Sequence, residues 1–597
     1  MHQHMPSPAA RWHLSRLIPR ALPRKVTRPV SVLVLIAWVA TMAVLVNRSY
    51  LQASVNLATD LSRYGASAQW HGVYYRGAKI GFAVRQAVPL DGGDGGYRFE
   101  EDGQLEMTLL GATTAARIQT TVEVDDTFTL RSFQFSLDPG TGPVSVTGRL
   151  EGPFEGHFAG TASGSNADAL DRTASGTSDG TPTELGPTAD PWRLILELTT
   201  GGRTRTETRT LAEPPLLAAN LGRRLASEGL VPGARHEWML FDPATLSNAP
   251  VVLEVGDREV VRVGATRLPA FRVDMVFAGL RTTSWVTDTG EVVREESPLG
   301  ILTVREAADR ATIMAVPGRV QTDLLEAAAV VPTLEPGIRR IDDPRAVRQL
   351  RVRLAGADLS SPELVGAGQT RDGDVIEITR PKIPIPGALD PDAGRYLAPE
   401  PLIESDDPAI LAEAALAAST LVGAHARAEA LTRYVNGLID KKPTIGLPSA
   451  SEVLRTKIGD CNEHTALYVA MARALGIPTR IAVGLVYMRG AFYYHAWPEV
   501  YLEEDGAALW LPVDPTLNQF PADGTHVRLA RGGLDRQAAI LPLIGNLRMT
   551  VLGLELDENS TSVLMAAPAI ALENSAFPIP TLPRDTEGWC GCAEAAR

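Results

Sequence analysis

Three short stretches late in the chain carry the side chains needed to break and remake a peptide bond: Gly459-Asp460-Cys461, His495-Ala496-Trp497 and Asp514-Pro515-Thr516. A thiol, an imidazole and a carboxylate are the working parts of nucleophilic acyl transfer. The sulfur attacks a carbonyl, the imidazole carries the thiol proton to the leaving amine, and the carboxylate orients the ring. Each residue alone has a plainer account: a lone cysteine usually packs like alanine, a strand histidine is usually packed or on the surface, and Asp before Pro usually forms a turn. Their occurrence together, in this order, is what favours chemistry.

The flanking residues indicate how each group is held. Asn462 to Leu475 reads as a helix that stops at Gly476-Ile477-Pro478, the expected glycine-then-proline ending. Cys461 then lies in the first helical turn, where free N–H groups and the dipole favour a thiolate, and its own N–H is a candidate oxyanion donor. In Phe492–Leu502, alternation puts His495, Trp497, Glu499 and Tyr501 on one strand face. Pro498 predicts a sheet edge or a bulge, and Glu499 reads as an exposed strand residue rather than a second polar group of the cleft. Asp514 ends the strand Leu509–Asp514, reached through the turn Glu504-Asp505-Gly506, which sets it beside His495. His464 competes for the base role, but only His495 has a plausible carboxylate partner.

These motifs, with Ala474-Leu475-Gly476-Ile477-Pro478-Thr479-Arg480 between them, resemble the transglutaminase-like superfamily over roughly Leu411 to Leu554. The resemblance implies a papain-like α+β domain with Cys461 as nucleophile, His495 as general base and acid, and Asp514 as orienting carboxylate. That family includes crosslinkers, peptidases and de-amidating enzymes. It therefore implies a thioester with a peptide or protein amide, with hydrolysis expected and transfer to an amine the alternative. No acidic run resembles a calcium site, and neither metal nor cofactor is expected. A different class, a non-catalytic scaffold binding through its β-rich region, is disfavoured by the intact set.

The chain has 597 residues, with 45% hydrophobic and 21% charged content, enough for several domains. Its net charge of −13 hides an asymmetry, because residues 1–46 hold six Lys or Arg and no acid. The remainder, 51 basic against 70 acidic residues, carries −19 and is a poor nucleic-acid binder. After Arg11, Arg16, Arg20, Arg24, Lys25 and Arg28 comes the uncharged run Val30 to Val46, which at about 1.5 Å rise covers roughly 26 Å. This predicts a single transmembrane helix of the bacterial membrane-anchored type, with the basic end cytoplasmic and the enzyme periplasmic; a cleaved signal is the alternative. Three cysteines, Cys461, Cys590 and Cys592, exclude a disulfide-dense scaffold.

The expected order is a multidomain chain: a cytoplasmic segment 1–29, the transmembrane helix 30–46 and an antiparallel β-rich domain 66–305 with a flexible insert 160–190. A small β-like region 335–380, a Pro-rich linker 381–404, the catalytic domain 405–555 and a tail 556–597 follow. Expected partners are a peptide or protein substrate and the membrane.

Overall fold

The computed structural model describes Tyr64 and residues 67–557, apart from 91–94, 110, 141, 153–190, 315–322, 361–362, 382–388, 505 and 533–539. The expected transmembrane run, the insert 160–190 and the tail with Cys590 and Cys592 lie outside the described residues. Among those described, no helix is long and apolar enough to cross a membrane.

Residues 69–306 form a fourteen-stranded antiparallel sheet among the described residues. From Gln69–Tyr75 the strands run outward in chain order to Arg203–Leu211; on its other side Gln69–Tyr75 pairs with Ile301–Glu306, and the order runs back to Arg235–Asp242. Alternation does the folding here. In Trp192–Thr200, for example, Leu194, Leu196 and Leu198 are buried while Arg193 and Glu197 face solvent. The helix Ala218–Glu228 covers the apolar side with Leu221 and Leu225, following Leu217.

A second core lies under the motif-bearing segment. Helices Pro408–Ala418, Ala424–Leu438 and Ala450–Thr456 surround Cys461–Ala474. Asp407 caps the first of these with Pro408 at its N1 position, as that proline demands. Residues Ala466 to Ala472 are buried without interruption, so the middle of this helix is apolar all round because it is enclosed all round. An antiparallel sheet packs on it in the order Ala507–Pro512, Ala491–Glu504, Thr479–Met488, Val527–Arg531.

Three sequence expectations change. The small β-like region is not separate: Val347–Ala355 pairs with Arg548–Leu556, and Leu350, Val352 and Ile376 belong to the catalytic core. The described part of the supposed linker is packed rather than free, with Leu402, Ile403 and Glu404 buried and Arg473 bonded to the Ala398 carbonyl at 2.7 Å. Proline content alone suggests a free segment there, but it says nothing of the apolar residues between the prolines, and buried Leu402 joins the core of the large sheet. Finally, Pro498 is in an interior strand, opposite Ile481. Its carbonyl accepts from Val513 at 2.9 Å, just past the end of the ladder at Pro512, so the missing N–H falls where pairing stops.

Candidate active site

The turn before the cysteine helix is built from its own side chains. Asp460 caps the Asn462 N–H at 3.0 Å and Glu463 accepts from the Asp460 N–H at 2.8 Å, while Thr444 donates to Glu463 at 2.7 Å. This reciprocal box fixes Cys461 at the first helical position. There its N–H has no intrahelical acceptor, which keeps it eligible as an oxyanion donor.

The helix lies on the histidine strand. Thr465 donates to the Ala496 carbonyl at 3.1 Å, and the Ala496 N–H is directed at the Cys461 sulfur. His495, one residue earlier, is buried and places Nε2 2.8 Å from Asp514 Oδ2. Asp514 Oδ1 is held in turn by the Leu517 N–H at 2.9 Å. The Trp497 ring stacks on His495 at 6.1 Å between centroids and restricts its rotation. The sequence-predicted residues thus converge on one place at the helix N-terminus.

The electrostatics depart from expectation in one respect. Cys461 keeps some exposed surface, yet it sits deep in the domain, and burial pushes its thiol well above the usual range. Asp460, Glu463 and Asp514 add to the rise, against the Ala496 N–H, which lowers it. Burial and the acidic surround therefore favour the thiol form of Cys461. Burial would also raise Asp514, but His495 and His526 hold it far below the ordinary carboxylate range.

Two residues depart from the sequence reading. Glu499 is wholly buried, not exposed; Arg480 and Arg528 bond it at 2.8 and 2.7 Å, and Arg531 lies 3.2 Å away. Burial would raise its carboxyl, but Arg528, Arg480 and Arg531 draw it down to about 2. His526 is unforeseen: its Nε2 lies 3.1 Å from the same Asp514 oxygen that His495 contacts. His464, the rival base, turns Nδ1 to the Asp460 carbonyl at 2.6 Å, and burial lowers its pKa.

His495, Asp514 and His526 offer ligand atoms within 4.8 Å of one another, a spacing that could suit a cation. The 2.8 and 3.1 Å separations from one oxygen are instead hydrogen-bond lengths. Ligands about 2.1 Å from a tetrahedral zinc would stand roughly 3.4 Å apart.

A cavity of about 410 Å³ is lined by Asn462, Thr465 and Ala496, which neighbour Cys461 and His495 in the chain although those two do not line it, and by Arg209 and residues 245–248 of the large sheet.

Comparison with known proteins adds the family. No curated protein matches the chain. Among solved structures, a candidate cysteine protease from Cytophaga hutchinsonii is 14% identical, covering 35% of this chain and 86% of that one at a TM-score of 0.23. A β-barrel-like protein with a domain of unknown function from Brucella abortus is 12% identical over 40% of this chain and 95% of its own, at 0.26. A candidate protease from Parabacteroides distasonis is 12% identical over 57% and 68%, at 0.18. At these scores the three likenesses carry no weight for the reaction. Residues 414–515, which include Cys461, His495 and Asp514, match the transglutaminase-like superfamily, and the chain therefore contains a domain of that superfamily.

Proposed function

We propose that this chain is a membrane-anchored, extracytoplasmic cysteine enzyme that forms a thioester at Cys461 with a peptide or protein amide and passes the acyl group to water. The observation that carries this reading is the buried His495–Asp514 pair at 2.8 Å, set one residue from the amide that faces the Cys461 sulfur. His495 takes the thiol proton as the sulfur attacks the carbonyl carbon. The oxyanion forms against the Cys461 N–H, and the C–N bond breaks as His495 protonates the amine. Water, deprotonated by His495, then opens the thioester and releases the acid.

Hydrolysis is preferred over amine transfer because water needs no acceptor site of its own; the charged groups of the cavity wall do not select an amine, since Arg209 is paired with Glu207 at 2.8 Å and Glu400 with Arg473 at 2.8 Å. The anchored, outward-facing placement rests on the basic lead and apolar run of residues 11–46. Incubating the chain and its Cys461→Ala variant with a peptide mixture, with and without hydroxylamine, tests the proposal. Cleavage that needs Cys461, with hydroxamate formed in competition, is the expected result. No Cys461-dependent turnover would favour the binding-scaffold reading.

A further inference from the structure

The acyl-transfer steps use His495 and leave His526 without a task, although it is 4% exposed and bonded on both sides. We propose that His526 is a positioning residue, held permanently as an imidazolium, which fixes Asp514 and offsets its negative charge so that the Cys461–His495 pair can lose and regain protons readily. This inference rests on the reading of Cys461 as the nucleophile.

The geometry requires both ring nitrogens to donate. Nε2 faces Asp514 Oδ2 at 3.1 Å, and Nδ1 faces the Asp523 carbonyl and Asp523 Oδ1, each at 3.2 Å. All three partners are acceptors. A neutral ring would set one bare nitrogen against an oxygen in a site closed to water, a costly arrangement. Asp523 is itself locked as an acceptor, taking Gln519 Nε2 at 2.8 Å, the Thr525 N–H at 2.9 Å and the Thr525 hydroxyl at 2.6 Å.

The remaining neighbours leave that charge in place. His495 stands 6.0 Å away between ring centroids and Trp497 meets His526 edge-on at 5.1 Å. Glu499 and Arg528 border the same narrow gap, but they pair with each other at 2.7 Å. Lys441 interacts electrostatically with Asp514. Burial alone would lower the His526 pKa; Asp523 and Asp514 lift it to about 10, so the cation persists through neutrality.

One charge shared between two histidines has a mechanistic consequence. Without the His526 cation, Asp514 would act undiluted on the Cys461–His495 pair, and loss of each proton from that pair would become harder. At roughly 6 Å and an effective dielectric near 20, a unit charge changes such an equilibrium by an amount on the order of one to two pH units.

The test is the pH profile of the reaction of Cys461 with 2,2′-dipyridyl disulfide, in the full chain with Cys590 and Cys592 replaced by Ser. His526→Asn removes the cation, and Asp523→Asn keeps the ring but removes the carboxylate that holds its second proton. Both variants are expected to move the profile to higher pH by roughly one unit, while His495→Ala abolishes its dependence on the pair. A merely structural role would lower the melting temperature and leave the profile in place. An unmoved profile in the folded variants, or in Asp523→Asn alone should His526→Asn not fold, overturns the proposal. A wild-type profile indifferent to His495→Ala would instead sink the reading of Cys461 as nucleophile, and the proposal with it.

Discussion

Glu463 reaches back one helical turn to the Asp460 N–H at 2.8 Å, so Cys461 is held by a bond between the residues on either side of it. That bond explains the glycine before Asp460. A Cβ at position 459 would stand 2.2 Å from the Glu463 Cβ, inside any permitted contact.

Gly459→Ala should therefore break the box. We expect at least a tenfold slower alkylation of Cys461 and a destabilisation of about 1 to 2 kcal/mol, the usual size of a lost cap. Glu463→Gln should be mild by comparison. Burial and Asp460 raise the Glu463 carboxyl well above its ordinary range, so the neutral amide resembles the native side chain. Alkylation rates and urea unfolding of both variants distinguish the two cases.

A second outcome concerns the thiol itself. Burial, with Asp460 the largest charged contributor, raises Cys461, so iodoacetamide should modify it slowly at neutral pH and faster as pH rises past the free-thiol value of about 8.5. Rapid modification well below that value would show that the helix N-terminus prevails after all. Mass spectrometry of the alkylated peptide across pH decides between them.

The helix that carries Cys461 and the His495 strand were legible in the sequence because local rules govern them: a cap, a glycine stop, a period of two. The acidic surround of Cys461 was equally visible as letters, but its strength depends on burial, which no local rule supplies. His526 follows the tight turn Asp523-Gly524-Thr525 and meets Asp514 through tertiary packing; the strand that begins at Val527 comes so close to Gly484 that a Cβ there would lie 2.0 Å from the Val527 carbonyl. The Asp523-to-His526 spacing is its one signal, and many turns share it. Glu499 escapes the strand pattern because alternation assumes one wet face, whereas the central helix covers one side of this strand and the segment around Gly366, bonded to Arg528 at 2.7 Å, covers the other.

Glu499 offers a stability test. Replacing it by Gln leaves Arg480, Arg528 and Arg531 clustered without their counter-charge. Breaking a buried ion network from one side costs about 3 to 5 kcal/mol, and Glu499→Gln should lose about that much in urea unfolding. A loss below about 1 kcal/mol would mean that water enters and screens the cluster.

Glu404 joins the large sheet to the catalytic domain. It accepts from Thr200 at 3.0 Å, from Ser449 at 2.6 Å and from Ser451 at 3.2 Å, and Arg203 pairs with Asp407 beside it. The sheet supplies one wall of the cavity, so loosening this joint should affect substrate more than chemistry. For Glu404→Ala we expect KM to rise severalfold with kcat changed less, once a cleaved peptide is in hand. Equal losses in kcat and kcat/KM would place the sheet in the catalytic step instead.

The pH dependence of stability should be limited by two histidines of opposite sign. Burial, with Arg85 and Arg305 nearby, lowers His71 to about 3; it stays neutral when folded but gains a proton near 6.5 when unfolded. Its contribution is therefore present above about 6.5 and lost as pH falls, amounting to about 2 kcal/mol by pH 5. His526, raised to about 10, contributes fully below about 6.5 and loses that contribution as pH climbs through 10. Melting temperature should thus fall on both sides of neutrality. His71→Gln, which can keep the bond to the Val292 carbonyl at 2.9 Å, should flatten the acid side and leave the alkaline side unchanged. An acid limb identical to that of the parent chain would show that His71 is protonated in the folded protein.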